Sequence, residues 1–112
     1  MTDDELVDVL KALAHPVRLR IMKVLSGTER NVGEIDDAAG IGQPTLSQQL
    51  AVLRKTGLVK TRKEAKLVYY RIDEGRFAKA IEAAGELGRL PAAPIRLKRQ
   101  AAPGVANFAR LG

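Results

Sequence analysis

The side chains best suited to recognition chemistry lie between residues 43 and 66. Neutral hydrogen-bonding side chains come first, at Gln43, Thr45, Ser47, Gln48 and Gln49. A glutamine amide can bond an adenine edge through two atoms at once, and hydroxyl groups can bond either bases or phosphates. This set of residues therefore indicates a surface that reads base edges.

Cations follow the neutral group closely. They are Arg54, Lys55, Arg62, Lys63 and Lys66, with Lys60 between the two clusters. Such side chains predict contacts to phosphates, which supply affinity and salt dependence rather than sequence choice. Residues 43–71 carry a net charge of +6, whereas residues 1–42 carry −3 and residues 72–87 carry −2. A basic block between two acidic blocks is typical of a phosphate-binding surface, and a solvated charged surface is the competing interpretation.

The elements that position these residues follow from apolar spacing and turn residues. Helices are predicted at about 3–13, 16–26, 33–39, 43–56 and 74–88, and strands at 58–62 and 66–72 around a hairpin tip at 63–65. On the 43–56 helix, Leu46, Leu50 and Leu53 share one stripe and should face the core, while Gly57 should end the helix. A short helix, a glycine-containing turn and a longer helix form a helix-turn-helix, and the hairpin adds a wing.

The expected fold is therefore mainly α with a two-stranded β-wing. Its order is α-α-α-α-β-β-α, a winged helix-turn-helix for binding double-stranded DNA. Residues 1–90 should form this domain, and residues 91–112 a basic tail containing Pro and Ala, in which Arg96, Lys98 and Arg99 are expected to add phosphate contacts.

Several functional classes are disfavoured by what the chain lacks. It has no cysteine and one histidine, which excludes disulfides, thiolate metal sites and thiol redox sensing. His15 directly precedes Pro16 at a predicted helix start, so a capping or packing role is favoured over metal ligation. No nucleophile–base pair or phosphate-binding glycine loop indicates an enzyme or a cofactor. The acidic N-terminus and the lack of an apolar run of about 20 residues predict a cytoplasmic protein without a membrane partner.

Two segments of the chain resemble the ArsR/SmtB family of small bacterial winged-helix repressors. They are ALAHPVRLRIMKVL at 12–25 and VGEIDDAAGIGQPTLSQQLAVLRKTGLVKTRKEAKLVYYRI at 32–72. The resemblance implies a homodimer formed by the first and last helices, which binds an inverted repeat and represses transcription until a ligand lowers DNA affinity. It also implies that Thr45, Ser47, Gln48 and Gln49 read DNA and that Arg62, Lys63 and Lys66 form the wing contacts.

The wing sequence TRKEAKLVYY is similar to that of a subgroup that senses persulfides through two cysteines. An ungapped alignment places Asp36 and Arg89 at those two positions. One hypothesis is that an ion pair between Asp36 and Arg89 replaces the redox switch, and unrelated surface charges are the alternative. Asp36 and Asp37 are otherwise expected to be solvated. The effector stays open among an organic ligand or partner protein, a hard cation held by carboxylates, and none; no transition metal is expected.

Two functions compete at this point. The first is a sequence-specific, homodimeric regulator of transcription, expected to be a repressor. The second is a winged-helix interaction module that binds nucleic acid non-specifically or an acidic protein partner. A specific regulator should prefer its site over random DNA by about 10³ or more.

Overall fold

A computed structural model describes residues 1–89 of the 112-residue chain. The helices are α1 (Asp3–Leu13), α2 (Pro16–Val24), α3 (Val32–Ala39), α4 (Thr45–Lys55) and α5 (Glu74–Gly85), and the strands are β1 (Arg30–Asn31), β2 (Val59–Glu64) and β3 (Leu67–Ile72). A short 3-10 turn, Glu86–Gly88, follows α5. The predicted boundary at residue 90 and the basic tail lie outside the described residues. Within residues 1–89, no helix is long and apolar enough to cross a membrane.

The helices begin where side chains can bond their free N–H groups. Thr2 and Glu5 form a reciprocal capping box on α1, and Asn31 and Glu34 form another on α3. At α2, Nδ1 of His15 accepts a hydrogen bond from the Val17 amide at 3.2 Å, which confirms the predicted capping role.

Arginine side chains cover the opposite ends of the first four helices. Carbonyl oxygens near the C-termini of α1 to α4 accept hydrogen bonds from Arg18 (to Ala12, 2.7 Å), Arg30 (to Val24, 2.9 Å), Arg20 (to Ala39, 3.1 Å) and Arg76 (to Thr56, 2.9 Å). A helix C-terminus has unpaired carbonyls and a partial negative charge, so a cation there satisfies both. Four positively charged side chains are thus hydrogen-bonded to the protein's own backbone.

The core lies where these helices meet the sheet. Its buried side chains are Val9, Ala12, Ile21, Met22, Leu25, Ile35, Leu46, Leu50, Leu53, Leu58, Val59 and Ala80. Tyr70, Ile72 and Phe77 pack against this cluster.

The sheet has one strand more than predicted. β1 pairs antiparallel with β3, so the strand order is β1-β3-β2. A two-residue strand shows no alternation of apolar and polar residues, because it is too short to have a period. Its partner lies about 40 residues away and only folding brings the two together.

The tip of the wing also differs from the prediction. Lys63 and Glu64 belong to β2, where they pair with Val68 and Leu67, and the turn consists of Ala65 and Lys66. Ala65 adopts a φ of +55°, a conformation that favours glycine, so no glycine marked the exact position of the turn.

Gly57 ends α4 as predicted. The amide of Gly57 donates to the Arg54 carbonyl at 3.0 Å, and the amide of Leu58 donates to the Leu53 carbonyl at 3.1 Å. This is the Schellman pattern, which requires a left-handed residue, and Gly57 has a φ of +81°. A Cβ atom built here would lie 2.7 Å from Nε of Arg76, so the glycine also makes room for the side chain that caps α4.

Gly57→Ala is expected to lower the free energy of unfolding more than Gly27→Ala does. Both residues have positive φ, but nothing lies within 4 Å of a Cβ at Gly27. The control should lose about 1–2 kcal/mol from backbone strain alone, and Gly57→Ala about 1 kcal/mol more because the Arg76 hydrogen bond must shift. Urea unfolding of both variants measures the difference; equal losses would show that Arg76 adapts at no cost.

Candidate nucleic-acid interface

The leucine stripe of α4 decides which of its faces is exposed. Leu46, Leu50 and Leu53 are fully buried, as the spacing predicted. The helix therefore presents its other side, with exposed Ser47, Gln48, Ala51, Arg54 and Lys55 and half-buried Thr45. This surface contains no carboxylate, and its neutral part precedes its basic part along the helix.

The start of α4, like that of α2, carries no acidic residue. The first turns of α1, α3 and α5 carry acidic residues, whereas that of α4 carries none. Pro44 precedes the helix without a side-chain cap, and Oε1 of Gln43 accepts a hydrogen bond from the Ser47 amide at 3.1 Å. A helix N-terminus attracts anions, and the phosphate backbone is the usual partner in DNA complexes. Gln43 thus supports the helix start rather than offering a free amide oxygen.

Gln49 has a partner inside the protein. Its Oε1 accepts a hydrogen bond from Nη1 of Arg18 at 2.7 Å, and the residue is half-buried. A two-atom contact with adenine needs both the oxygen and the nitrogen of the amide. Gln48 is exposed and has no side-chain hydrogen bond within residues 1–89, so it can make that contact, whereas Gln49 cannot.

Arg62 has acidic partners within the protein. Its Nε lies 2.8 Å from Oε1 of Glu29 and its Nη1 lies 2.7 Å from Oε1 of Glu64. Its guanidinium carbon lies 4.7 Å above the centre of the Tyr69 ring. Hydrogen bonds to Glu64 and Glu29 raise the pKa of Arg62 further above its ordinary value, so the side chain stays charged but is neutralised by its neighbours. Arg62 therefore braces the wing, because it joins Glu29, Glu64 and the Tyr69 ring.

Lys63 and Lys66 remain as cations of the wing. Both are exposed, and neither forms an ion pair within the described part of the chain. Nζ of Lys60 lies 3.8 Å from Oδ2 of Asp73, and Nε of Arg71 lies 3.9 Å from Oε2 of Glu29. Lys60 and Arg71 therefore have acidic partners. The positive charge at the wing is thus concentrated at its tip.

The proposed ion pair between Asp36 and Arg89 is not formed in residues 1–89. Oδ1 of Asp36 instead accepts hydrogen bonds from the amides of Ile41 and Gly42, at 3.1 and 2.8 Å. Nη2 of Arg89 lies 3.7 Å from Oε2 of Glu86, three residues earlier in the sequence. Asp36 is therefore not simply solvated: it holds the turn between α3 and α4 and so helps to set the start of the exposed helix.

Two residues important to this surface were missed from the sequence. Arg18 bonds Gln49 of α4, which lies 31 residues later in the sequence. Glu29 bonds Arg62, which lies 33 residues later. A single charged residue in a helix or loop has no local pattern that names a distant partner. The pairing of these residues depends on how the elements pack.

The described residues contain no group of three or more His, Cys, Asp and Glu side chains that could hold a metal ion.

Known proteins with similar sequences are bacterial regulators. Residues 15–61 match the model for bacterial regulatory proteins of the arsR family. The Biofilm growth-associated repressor of Xylella fastidiosa is 48% identical over 80 residues, which cover 71% of this chain and 70% of that protein. The transcriptional activator HlyU of Vibrio cholerae is 43% identical over 76 residues, covering 68% and 70%.

A solved structure agrees with both sequence matches. The crystal structure of the transcriptional repressor BigR from Xylella fastidiosa superposes with a TM-score of 0.62 at 45% identity, covering 81% of this chain and 90% of that one. These likenesses confirm the predicted fold class and the regulatory, non-enzymatic function. The chain belongs to the arsR family of bacterial regulatory proteins and is a transcriptional regulator with a winged helix-turn-helix fold.

Proposed function

We propose that the protein is a homodimeric repressor that binds an inverted-repeat operator in double-stranded DNA. In this proposal α4 enters the major groove, where Thr45, Ser47 and Gln48 meet base edges. Arg54 and Lys55 at the end of α4, together with Lys63 and Lys66 at the wing tip, contact the backbone. A protein that acts on the bacterial chromosome in this way works in the cytoplasm.

The observation that carries the proposal is the exposed face of α4. It offers neutral hydrogen-bonding groups, it has no carboxylate to repel phosphate, and its first turn carries no acid. An α-helix fits the major groove, where each base pair presents a distinct pattern of donors and acceptors. A surface that bound nucleic acid by charge alone would not need three neutral polar side chains along the start of its exposed helix.

Support for a dimer comes from apolar side chains exposed on the first and last helices. Val7 and Leu10 of α1 are 45% and 43% exposed, and Ile81 of α5 is 54% exposed. The 3-10 turn after α5 adds Leu87. Exposed apolar groups that cluster on a small protein mark interaction sites, and burying them in a second copy would add to a small core. Two copies related by a twofold axis would present two α4 helices to an inverted repeat.

The proposal is tested by selecting bound duplexes from a random DNA pool with the full-length protein. The expected result is an inverted repeat with half-sites separated by about one helical turn, or 10–10.5 base pairs. Gln48→Ala should relax the base preference at one position in each half-site, because the Gln48 amide is the group that we propose distinguishes the base there. Binding without any enriched sequence would contradict the proposal and favour a non-specific interaction module.

Lys63 and Lys66 should contribute more to the salt dependence of DNA binding than Arg62 does, because Arg62 has carboxylate partners within the protein. Lys63→Gln and Lys66→Gln together are expected to reduce the slope of log K against log salt by about 0.9 for each lost phosphate contact. Lys79→Gln, an exposed lysine on α5, is the control for the loss of charge and should leave the slope unchanged. A double wing variant with the wild-type slope would show that the wing does not touch the backbone.

Ile81→Glu is expected to shift the protein from dimer to monomer at micromolar concentration without unfolding it. The side chain is half exposed in one chain, so the charge costs little until a partner covers it. Leu67→Glu, at a wing residue that is 48% exposed, is the matched control and should leave the dimer intact. Sedimentation equilibrium measures both, and a dimer that tolerates Glu at residue 81 would place the interface elsewhere.

A further inference from the structure

We propose that Arg18 is a positioning residue that orients Gln49 for DNA recognition and connects the end of α1 to the recognition helix α4. This inference rests on the proposed function, because it assigns a role within DNA reading. It also limits Gln49 to donating hydrogen bonds to DNA, whereas an unpaired glutamine amide can both donate and accept them.

Three hydrogen bonds determine where Arg18 lies. Its Nε donates to the Ala12 carbonyl at 2.7 Å, and its Nη2 donates to the Lys11 carbonyl at 3.4 Å, both in the last turn of α1. Its Nη1 donates to Oε1 of Gln49 at 2.7 Å. The planar guanidinium holds these donors in a rigid fork, so anchoring two of them on α1 also fixes the third. A lysine has one ammonium group and could not span the same set.

The chemistry of arginine decides which end of the Gln49 amide faces it. Arginine has only donors, so the atom bonded to Arg18 must be the amide oxygen. The Nε2 group of Gln49 is then directed away from Arg18, and it has no hydrogen-bond partner within residues 1–89. Gln49 therefore offers DNA donors alone, which suits the acceptors of guanine or thymine, or a phosphate, and not the two-atom adenine contact.

The same contact joins two parts of the molecule that have different tasks. The helix α1 carries the exposed apolar residues Val7 and Leu10, and α4 carries the recognition face. A movement of the end of α1 relative to α4 would change the Arg18 geometry and release the Gln49 amide.

The test uses Arg18→Lys, Gln49→Ala and the double variant, with Arg20→Lys as the matched control. Arg20 lies on the same helix and also caps a helix end, since its Nη1 donates to the Ala39 carbonyl at 3.1 Å, but it has no hydrogen bond to α4. Binding is measured to the duplex that the wild-type protein selects and to a scrambled duplex. Urea unfolding of each variant sets conditions in which all are folded.

Arg18→Lys and Gln49→Ala are each expected to weaken binding to the selected duplex about 10-fold, the effect of one good base contact. The double variant should bind no more weakly than Gln49→Ala, and both single variants should relax preference at the same base position. Arg20→Lys should leave that preference unchanged. If Arg18→Lys weakens binding equally in the Gln49→Ala background, Arg18 does not act through Gln49 and the proposal fails.

A measurement without DNA separates this inference from the proposed function. In ¹⁵N relaxation experiments on the wild-type protein, the side-chain amide of Gln49 should be rigid and that of exposed Gln48 mobile. Arg18→Lys should make the Gln49 amide as mobile as that of Gln48, and Arg20→Lys should not. A Gln49 amide that is already mobile in the wild type would overturn the inference, whether or not the protein selects an operator.

Discussion

The burial of three leucines on one side of α4 is the interaction on which the recognition surface depends. Leu46, Leu50 and Leu53 are fully buried, and each contributes about 1.5–3 kcal/mol by leaving water. The stripe fixes the rotation of the helix about its axis, and the residues that we propose to read DNA are those left on the other side. A polar substitution in the stripe would therefore disturb both the core and the presentation of Ser47 and Gln48.

The ends of α4 are fixed by different interactions. At its start, the Asp36 carboxylate holds the amides of Ile41 and Gly42. At its end, Gly57 permits the left-handed turn, and Arg76 caps the Thr56 carbonyl. The side of the helix is tied to α1 through Arg18 and Gln49. The recognition helix is thus held on a rigid support, which suits an element that must match the spacing of base pairs.

Most arginines of residues 1–89 have partners inside the protein, whereas three exposed lysines have none. Four arginines bond carbonyls at helix ends, and Arg62 is held between two carboxylates. The exposed lysines Lys55, Lys63 and Lys66 form no ion pair within residues 1–89. The planar guanidinium can satisfy several acceptors at once, whereas the ammonium is a compact charge that water and phosphate solvate well. A count of positive charges along the sequence therefore overstates what is available to DNA.

The sequence by itself determined the helices, the hairpin, the buried face of α4 and the class of function. These follow from local spacing: Leu46, Leu50 and Leu53 recur with the helical period, and Gly57 ends the helix by its own conformational freedom. Only the tertiary structure decided which polar residues are free. The ion pair between Arg62 and Glu29, the turn held by Asp36, the pairing of β1 and the contact between Arg18 and Gln49 were not found from the sequence. Three of these four join residues about 30 to 40 positions apart, and a partner at that distance is chosen by how the elements pack. Asp36 is the exception: its bond to the next turn is local, but an aspartate side chain in a helix can also point to solvent, and the residue type does not distinguish the two.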